Sequence, residues 1–299
     1  MQTAVKSGNM LSAKTKTRRR VRASQIAVHA VIIVLLFLVL FPFYILIVNS
    51  FKLPKDIFVN PFSFPGTPQT PLVLTAFGTA WGYIKNYLLN TVIIAVLEIV
   101  GTLLFASMAA YGFSRFRFAG KNIVFTVFLA FMMIPGILML APQYALVYNN
   151  LRLGQTMAGV ILPAIAGGMP TGVFLIRTFF SGVPDSVFEA AELDGAGHIR
   201  RYLTLALPLS MPILFTIGLS TLLGAWNDII WARLILYGKE NLYTISVGVF
   251  VSFNSSVNKS ITDTVVYAGY CIASLPLVLV FALTSKQFIK GLTSGAIKM

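Results

Sequence analysis

Six apolar stretches, at about 25–48, 88–111, 123–147, 157–177, 209–230 and 265–284, set the terms for this chain of 299 residues. Each is close to the ~20 residues with which an α-helix crosses a hydrocarbon core about 30 Å thick. Lipid offers no partner for backbone N–H and C=O groups, so segments this long must bond within themselves as helices. Composition agrees. Hydrophobic residues make up 57% of the chain and charged ones 11%, with a mean hydropathy of +0.82; a soluble domain is roughly one-quarter charged. The expected fold class is an all-α membrane protein with six transmembrane helices. The reading divides it into a basic leader (1–23), a first helix with an outer segment (24–85), a transmembrane core (86–285) holding a polar loop (182–208), and a C-terminal tail (286–299).

A net charge of +14 on a soluble surface would suggest nucleic acid. Here it reads as topology, because Lys and Arg hold short loops on the cytoplasmic side. With the leader inside, sixteen of the twenty-three basic residues fall inside: Lys6 to Arg22 of the leader, Arg115, Arg117, Lys121, Arg177, Arg200, Arg201, Lys286, Lys290 and Lys298. Seven fall outside: Lys52, Lys55, Lys85, Arg152, Arg233, Lys239 and Lys259. The bias gives an N-in, C-in arrangement and no call for nucleic acid. The first apolar stretch is too long for a signal-peptide core and lacks a small-residue cleavage site, so it is retained. Cys271 is the only cysteine, which excludes an internal disulfide.

Proline marks the breaks. Pro54, Pro61, Pro65, Pro68 and Pro71 make the segment after the first helix a loop, since each removes a backbone donor. Pro135 and Pro142 in the third stretch, and Pro163 and Pro170 in the fourth, predict kinks or broken helices. The outer segments, about 49–87 and 231–264, mix polar and aromatic residues and are expected to form short surface helices.

The polar island between the fourth and fifth stretches holds four of the nine acidic residues within ten positions: Asp185, Glu189, Glu192 and Asp194. Such a cluster cannot face lipid. Ser186 and Glu189 have the spacing of a capping box, and Pro184 is placed to open a helix. Ala190 and Ala191 favour helix and leave no bulk. Gly195 is able to take positive φ and reverse the chain. A second short helix is expected from His198 to Leu207, stopped near Pro208 and Pro212.

Glu189-Ala190-Ala191, then Gly195, then Leu205-Ala206-Leu207-Pro208 resembles the "EAA" cytoplasmic loop of binding-protein-dependent ABC importer permeases. Leu205 stands where that family usually has isoleucine. The resemblance covers roughly 86–298. Ala109-Ala110-Tyr111-Gly112-Phe113-Ser114-Arg115, Trp226-Asn227-Asp228 and the tail from Lys286 are similar to the carbohydrate branch, as in the smaller permease of maltose importers. The resemblance implies a type I importer permease fold in a bacterial inner membrane. It implies a second permease subunit (a heterodimer), two ATP-binding cassette subunits, an extracytoplasmic solute-binding protein and a carbohydrate substrate. It also makes the island a coupling helix seated in a cleft of the ATPase subunit. By position, Glu189, Ala190, Ala191, Asp194, Gly195, Leu207 and Pro208 would carry that coupling.

Within the apolar stretches, Glu98 is near the middle of the second. An ionisable group at that depth faces a bundle interior or water; it reads either as part of a translocation path or as a structural bond to a neighbouring helix. Asn227 and Asp228 lie towards the outer end of the fifth and could cap or orient an outer gate, or simply be solvated between Trp226 and Trp231. Gly168 and Gly172 have the small-xxx-small spacing that lets two helices approach. His29 and His198 read as solvated or interfacial, not as ligands.

The chain has no cofactor site of its own. Its Gly-Lys pairs, Gly120-Lys121 and Gly238-Lys239, have Arg115 and Arg233 where a phosphate loop needs its first glycine, and neither precedes Ser or Thr. ATP and Mg are therefore expected on partner ATPase subunits. An ion-coupled secondary transporter is the alternative, but it needs more intramembrane ionisable residues than Glu98. An intramembrane hydrolase lacks both a His-Glu-x-x-His pair and a Gly-x-Ser-x-Gly elbow.

Overall fold

The computed structural model describes residues 2–253 and 261–296, with side chains from 25 to 253 and from 261 to 285. Among these, regular structure is helical except for an isolated antiparallel bridge between Thr67 and Thr70. Four helices are long and apolar enough to cross a membrane: Gln25–Asn49, Thr75–Arg115, Met157–Phe180 and Asp263–Ser285. Two bent pairs, Lys121–Met132 with Gly136–Asn150 and His198–Leu209 with Met211–Asn227, bring the number to six if each is one span. The six apolar stretches fall on these elements. The chain forms two compact units, Met1–Phe77 with Thr262–Cys271, and Gly78–Ile261 with Ile272–Met299.

In the first unit, α1 (Gln2–Asn49) joins the leader and the first apolar stretch in one helix, and α2 (Pro54–Val59) opens on a proline. Between them Lys52 is fully buried. Its Nζ donates to Asn49 Oδ1 (2.9 Å) and to the carbonyls of Asn60 (2.8 Å) and Pro61 (3.0 Å). An ammonium has three donors, and with each satisfied the burial is tolerable. Burial pushes the Lys52 pKa below the ordinary lysine value, and the Asp56 carboxylate opposes that shift. Thr264 Oγ1 donates to the Lys52 carbonyl at 2.8 Å, and Tyr44 Oη to that of Phe62 at 2.7 Å. The proline-rich segment is thus pinned around one lysine.

The second unit contains most of α3 (Thr75–Arg115), then α4 (Lys121–Met132) and α5 (Gly136–Tyr144), which winds on as a π-helical stretch over Ala145–Asn150. After α6 (Met157–Phe180) come α7 (Asp185–Leu193), α8 (His198–Arg201), a second π-helical stretch (Tyr202–Ala206), α9 (Leu207–Leu209) and α10 (Met211–Asn227). The expected short helices follow: α11 (Ile230–Ile235), a 3-10 turn (Glu240–Leu242) and α12 (Ile245–Ser252); the last helix, α13 (Asp263–Ala296), belongs to the first unit up to Cys271 and to the second from Ile272.

The prolines act differently from one another. α4 and α5 meet at 97°, with Pro135 extended at φ −59°, ψ 123°. That is the expected break, made by a residue without an N–H and by the bias against α before proline. The break allowed for in the fourth stretch is not made: α6 runs as one helix through Pro163 and Pro170. Pro163 cannot donate to the carbonyl of Gly159, but the indole Nε1 of Trp231 does so at 3.1 Å. A donor from another helix replaces the missing one. The fifth stretch is shifted. α10 starts at Met211 and bends by 74° from the preceding helix, while Ser210 Oγ donates to the carbonyls of Ala206 (2.8 Å) and Leu207 (3.0 Å).

Two apolar clusters hold this unit together. One gathers Ala106, Ala110 and Tyr111 of α3, Val173, Ile176 and Phe180 of α6, Phe188 of α7, Ala206, and Leu214 and Ile217 of α10. The other joins Ile94 of α3, Val160 and Ile161 of α6, Trp231, Ala232 and Ile235 of α11, and Val247 of α12. Residues 98–102 of α3 lie between them. There α3 and α6 nearly touch: a Cβ on Gly172 would sit 2.8 Å from Ala106 Cβ, and one on Gly168 would sit 3.1 Å from Thr102 Cγ2. The small-residue spacing is used as expected. Asn90 Nδ2 fastens the segment after α11 to α3 by donating to the carbonyls of Asn241 (2.8 Å) and Tyr243 (3.0 Å).

Candidate functional site

Between the clusters is a cavity of about 460 Å³. Glu98 and Thr102 of α3, Gln143 of α5, Thr171 of α6, Ser220 and Thr221 of α10, Asp228 and Trp231 line it. Glu98 is 3% exposed, so the helix bundle shields it from lipid, and it lines a mainly apolar cavity into which a few polar side chains are set. Thr102 Oγ1 is buried and has no hydrogen-bond partner. The wall presents carboxylates, hydroxyls, an amide and an indole, a mixture able to accept from and donate to a polar solute.

The three intramembrane candidates separate here. Glu98 and Asp228 share the cavity. Asn227 does not line it; it is exposed, and its Nδ2 donates to the Leu223 carbonyl at 2.8 Å. Asp228 Oδ1 accepts from Trp231 N at 3.0 Å and Oδ2 from Ala232 N at 3.1 Å. Asp228 therefore caps α11, satisfying two amides that a helix start leaves unbonded. This fixes Trp231, whose indole mends α6 at Pro163. The spacing Trp226-Asn227-Asp228-x-x-Trp231 carries the cap, but nothing local in it shows that the indole reaches the Gly159 carbonyl.

The polar island folds as a helix, a tight reversal and a second helix. α7 begins after Pro184, and no side chain caps it. The capping box expected of Ser186 and Glu189 is thus absent. The helix starts two residues earlier, with Pro184 as its cap residue, and the first-turn Asp185 carboxylate pairs with Arg115 Nη1 instead. At the other end the reversal is as expected: Gly195 has φ +78°. Ala196 N donates to the Ala191 carbonyl and Gly195 N to the Glu192 carbonyl, both at 2.9 Å. This pair of bonds is the Schellman ending, which needs a left-handed residue at that place.

The hairpin is tied to the rest of the unit at several points. The Arg115 guanidinium lies 3.7 Å above the Phe188 ring, a cation–π contact of roughly 0.5–2 kcal/mol. Phe188 is 4% exposed and packs in the cluster with α3, α6 and α10. Ser107 Oγ and Tyr202 Oη are 2.7 Å apart, and Tyr111 Oη donates to the His198 carbonyl at 3.4 Å. Within the hairpin, Arg201 Nη1 donates to Glu192 Oε2 at 2.6 Å. Arg115, Phe188, Ser107, Tyr111 and Tyr202 were not singled out for this role from the sequence, because their partners are up to 95 positions away. Glu189, Ala190, Asp194, Gly195 and Pro208 are exposed, whereas Ala191 and Leu207 are half-buried. Leu193 (90% exposed) and Ile199 (78%) stand out beside them.

Residues 102–293 match the family described as the binding-protein-dependent transport system inner membrane component. The chain belongs to this family. Among its relatives is the probable ABC transporter permease protein YurM of Bacillus subtilis (strain 168), 32% identical over 292 residues, with 96% of this chain and 93% of that protein covered. The maltodextrin transport system permease protein MalD of Streptococcus pneumoniae is 32% identical over 253 residues, 84% of each chain. The fold matches a chain in the crystal structure of a bacterial ABC transporter involved in the import of the acidic polysaccharide alginate. The TM-score is 0.74 at 21% identity, covering 89% of this chain and 97% of that one. The protein is thus a multi-pass inner-membrane permease subunit of a binding-protein-dependent importer. Nothing in these likenesses supports the ion-coupled alternative.

Proposed function

We propose that this permease subunit carries a sugar or oligosaccharide, with six spans in an N-in, C-in arrangement and residues 185–208 as its coupling element. The substrate class is supported by relatives such as MalD and by the cavity wall, where hydroxyl-bonding groups stand beside an indole. A second, different permease subunit completes the pathway, two ATP-binding cassette subunits bind Mg and ATP, and a solute-binding protein delivers the ligand from outside. Carbohydrate is the substrate and lipid the surroundings; nucleic acid has no part.

One observation carries the coupling assignment: the exposed hairpin shares its apolar cluster with α3, α6 and α10, three of the helices that line the cavity. A partner that moves α7 pulls on Phe188 and, through Asp185, on Arg115 at the end of α3. Tyr202 and Ala206 pass the same movement to α3 and α10. A packed cluster switches between arrangements and does not stretch, so α3, α6 and α10 re-pack around the cavity. ATP closure favours one arrangement to the extent that the ATPase subunits bind it better.

The translocation role of Glu98 has its own test. In the assembled importer, Glu98→Gln keeps the shape and removes the charge. Uptake is expected to show a change in KM of about tenfold, the scale of one charge-assisted hydrogen bond of roughly 1.5 kcal/mol. Unchanged kinetics with normal assembly would leave Glu98 a structural residue.

A further inference from the structure

A second cavity, of about 420 Å³, opens where α3 and α6 end and α4 begins, with Ser114, Arg115, Lys121, Arg177, Ser181 and Asp185 on its wall. Three cations face one carboxylate. Asp185 is engaged by Nη1 of Arg115, whereas Nε and Nη2 of Arg115 are buried and have no acceptor. Lys121 Nζ donates to the Phe116 carbonyl at 3.1 Å, one bond for three donors. The Arg177 guanidinium stacks 3.6 Å from the Phe125 ring centre and makes no ion pair among the described residues. The cap residue of α4 is Gly120, which has no side chain to accept from the first-turn amides, so the helix adds partial positive charge there.

Three cations against one carboxylate on the wall of a polar cavity call for a compact, oxygen-rich anion. Close to Lys121 in the chain, Phe116, Phe118 and Ile123 are 40%, 46% and 72% exposed, and the Phe116 carbonyl accepts from Lys121 itself. We propose that this cavity binds a phosphate group, supplied by the headgroup of an anionic phospholipid whose chains lie against these exposed apolar side chains. A phosphate there stands beside the Arg115–Asp185 pair on the same wall, which links lipid occupancy to the coupling hairpin. Its place at the cytoplasmic surface rests on the topology proposed above; binding is measured independently of that topology.

The test uses the assembled importer in phosphatidylcholine nanodiscs, titrated with fluorescent phosphatidylglycerol. Lys121→Gln with Arg177→Gln removes two cations from the wall without touching the Arg115–Asp185 pair. Saturable binding is expected for the unaltered importer, about tenfold weaker for the double variant and retained in Arg177→Lys. Basal ATPase activity in neutral lipid, equal in all three, shows that the variants are folded. Displacement by inorganic phosphate confirms that the phosphate is what is read. Binding of inorganic phosphate with no saturable binding of phosphatidylglycerol keeps the phosphate site and overturns the lipid source. Equal binding by the unaltered importer and the double variant overturns the proposal.

Discussion

Gly195→Val is expected to abolish coupled transport while leaving the protein inserted. A Cβ on Gly195 meets nothing within 4 Å, so the cost is in the backbone alone. At φ +78° an L-residue costs roughly 1–2 kcal/mol, and a β-branched one is worse. The chain then gives up the left-handed turn, and with it the two bonds to the Ala191 and Glu192 carbonyls. α7 and α8 swing apart and no longer present one surface. Uptake and substrate-stimulated ATP hydrolysis should fall by at least about tenfold. Gly195→Asn, which tolerates this conformation, should keep most of both. Equal loss in the two variants would point to a contact at Gly195 and not to its backbone.

Gly172→Leu is expected to be still more damaging, because it acts on assembly of the bundle. A single Cβ there already lies 2.8 Å from Ala106 Cβ, and neither is the end of a flexible side chain. Room for a leucine exists only if α3 and α6 separate, and overpacking of this kind costs about 1–3 kcal/mol or more. Separation would also open the cluster that holds Phe188. Gly167→Ala, where a Cβ meets nothing within 4 Å, is the control. Thermal unfolding of the purified complex should drop sharply for the first and stay near the parent for the second. Comparable melting of both would mean that this close approach does not hold the two helices.

The comparison of the two glycines shows what was legible in the sequence. Gly172 and Gly195 stood out because small residues at helical spacing and a glycine after Ala-Ala-Glu-Leu-Asp have local physical consequences. So did the break at Pro135. What could not be read depended on distant partners. Pro163 looks like Pro135 in the sequence, but it sits in an intact helix because Trp231 supplies the missing donor. Ser186 has the spacing of a cap, yet the helix starts at Asp185, whose carboxylate meets Arg115 seventy positions away. Glu98 and Asp228 were both suspected, but nothing local says that they share a cavity and that Asn227 does not. Periodicity and turn chemistry reveal the elements; the pairing of side chains across elements decides the site.

The most direct measurement is site-specific cross-linking at the hairpin. With Cys271→Ser to remove the native thiol, Leu193→Cys places a single thiol at a residue that is 90% exposed. In membranes holding the assembled importer, the thiol should cross-link to the ATP-binding cassette subunit, with a yield that changes when ATP is bound. If it instead labels only with lipid-soluble reagents, or reaches no ATPase subunit in any nucleotide state, residues 185–208 do not couple ATP to transport.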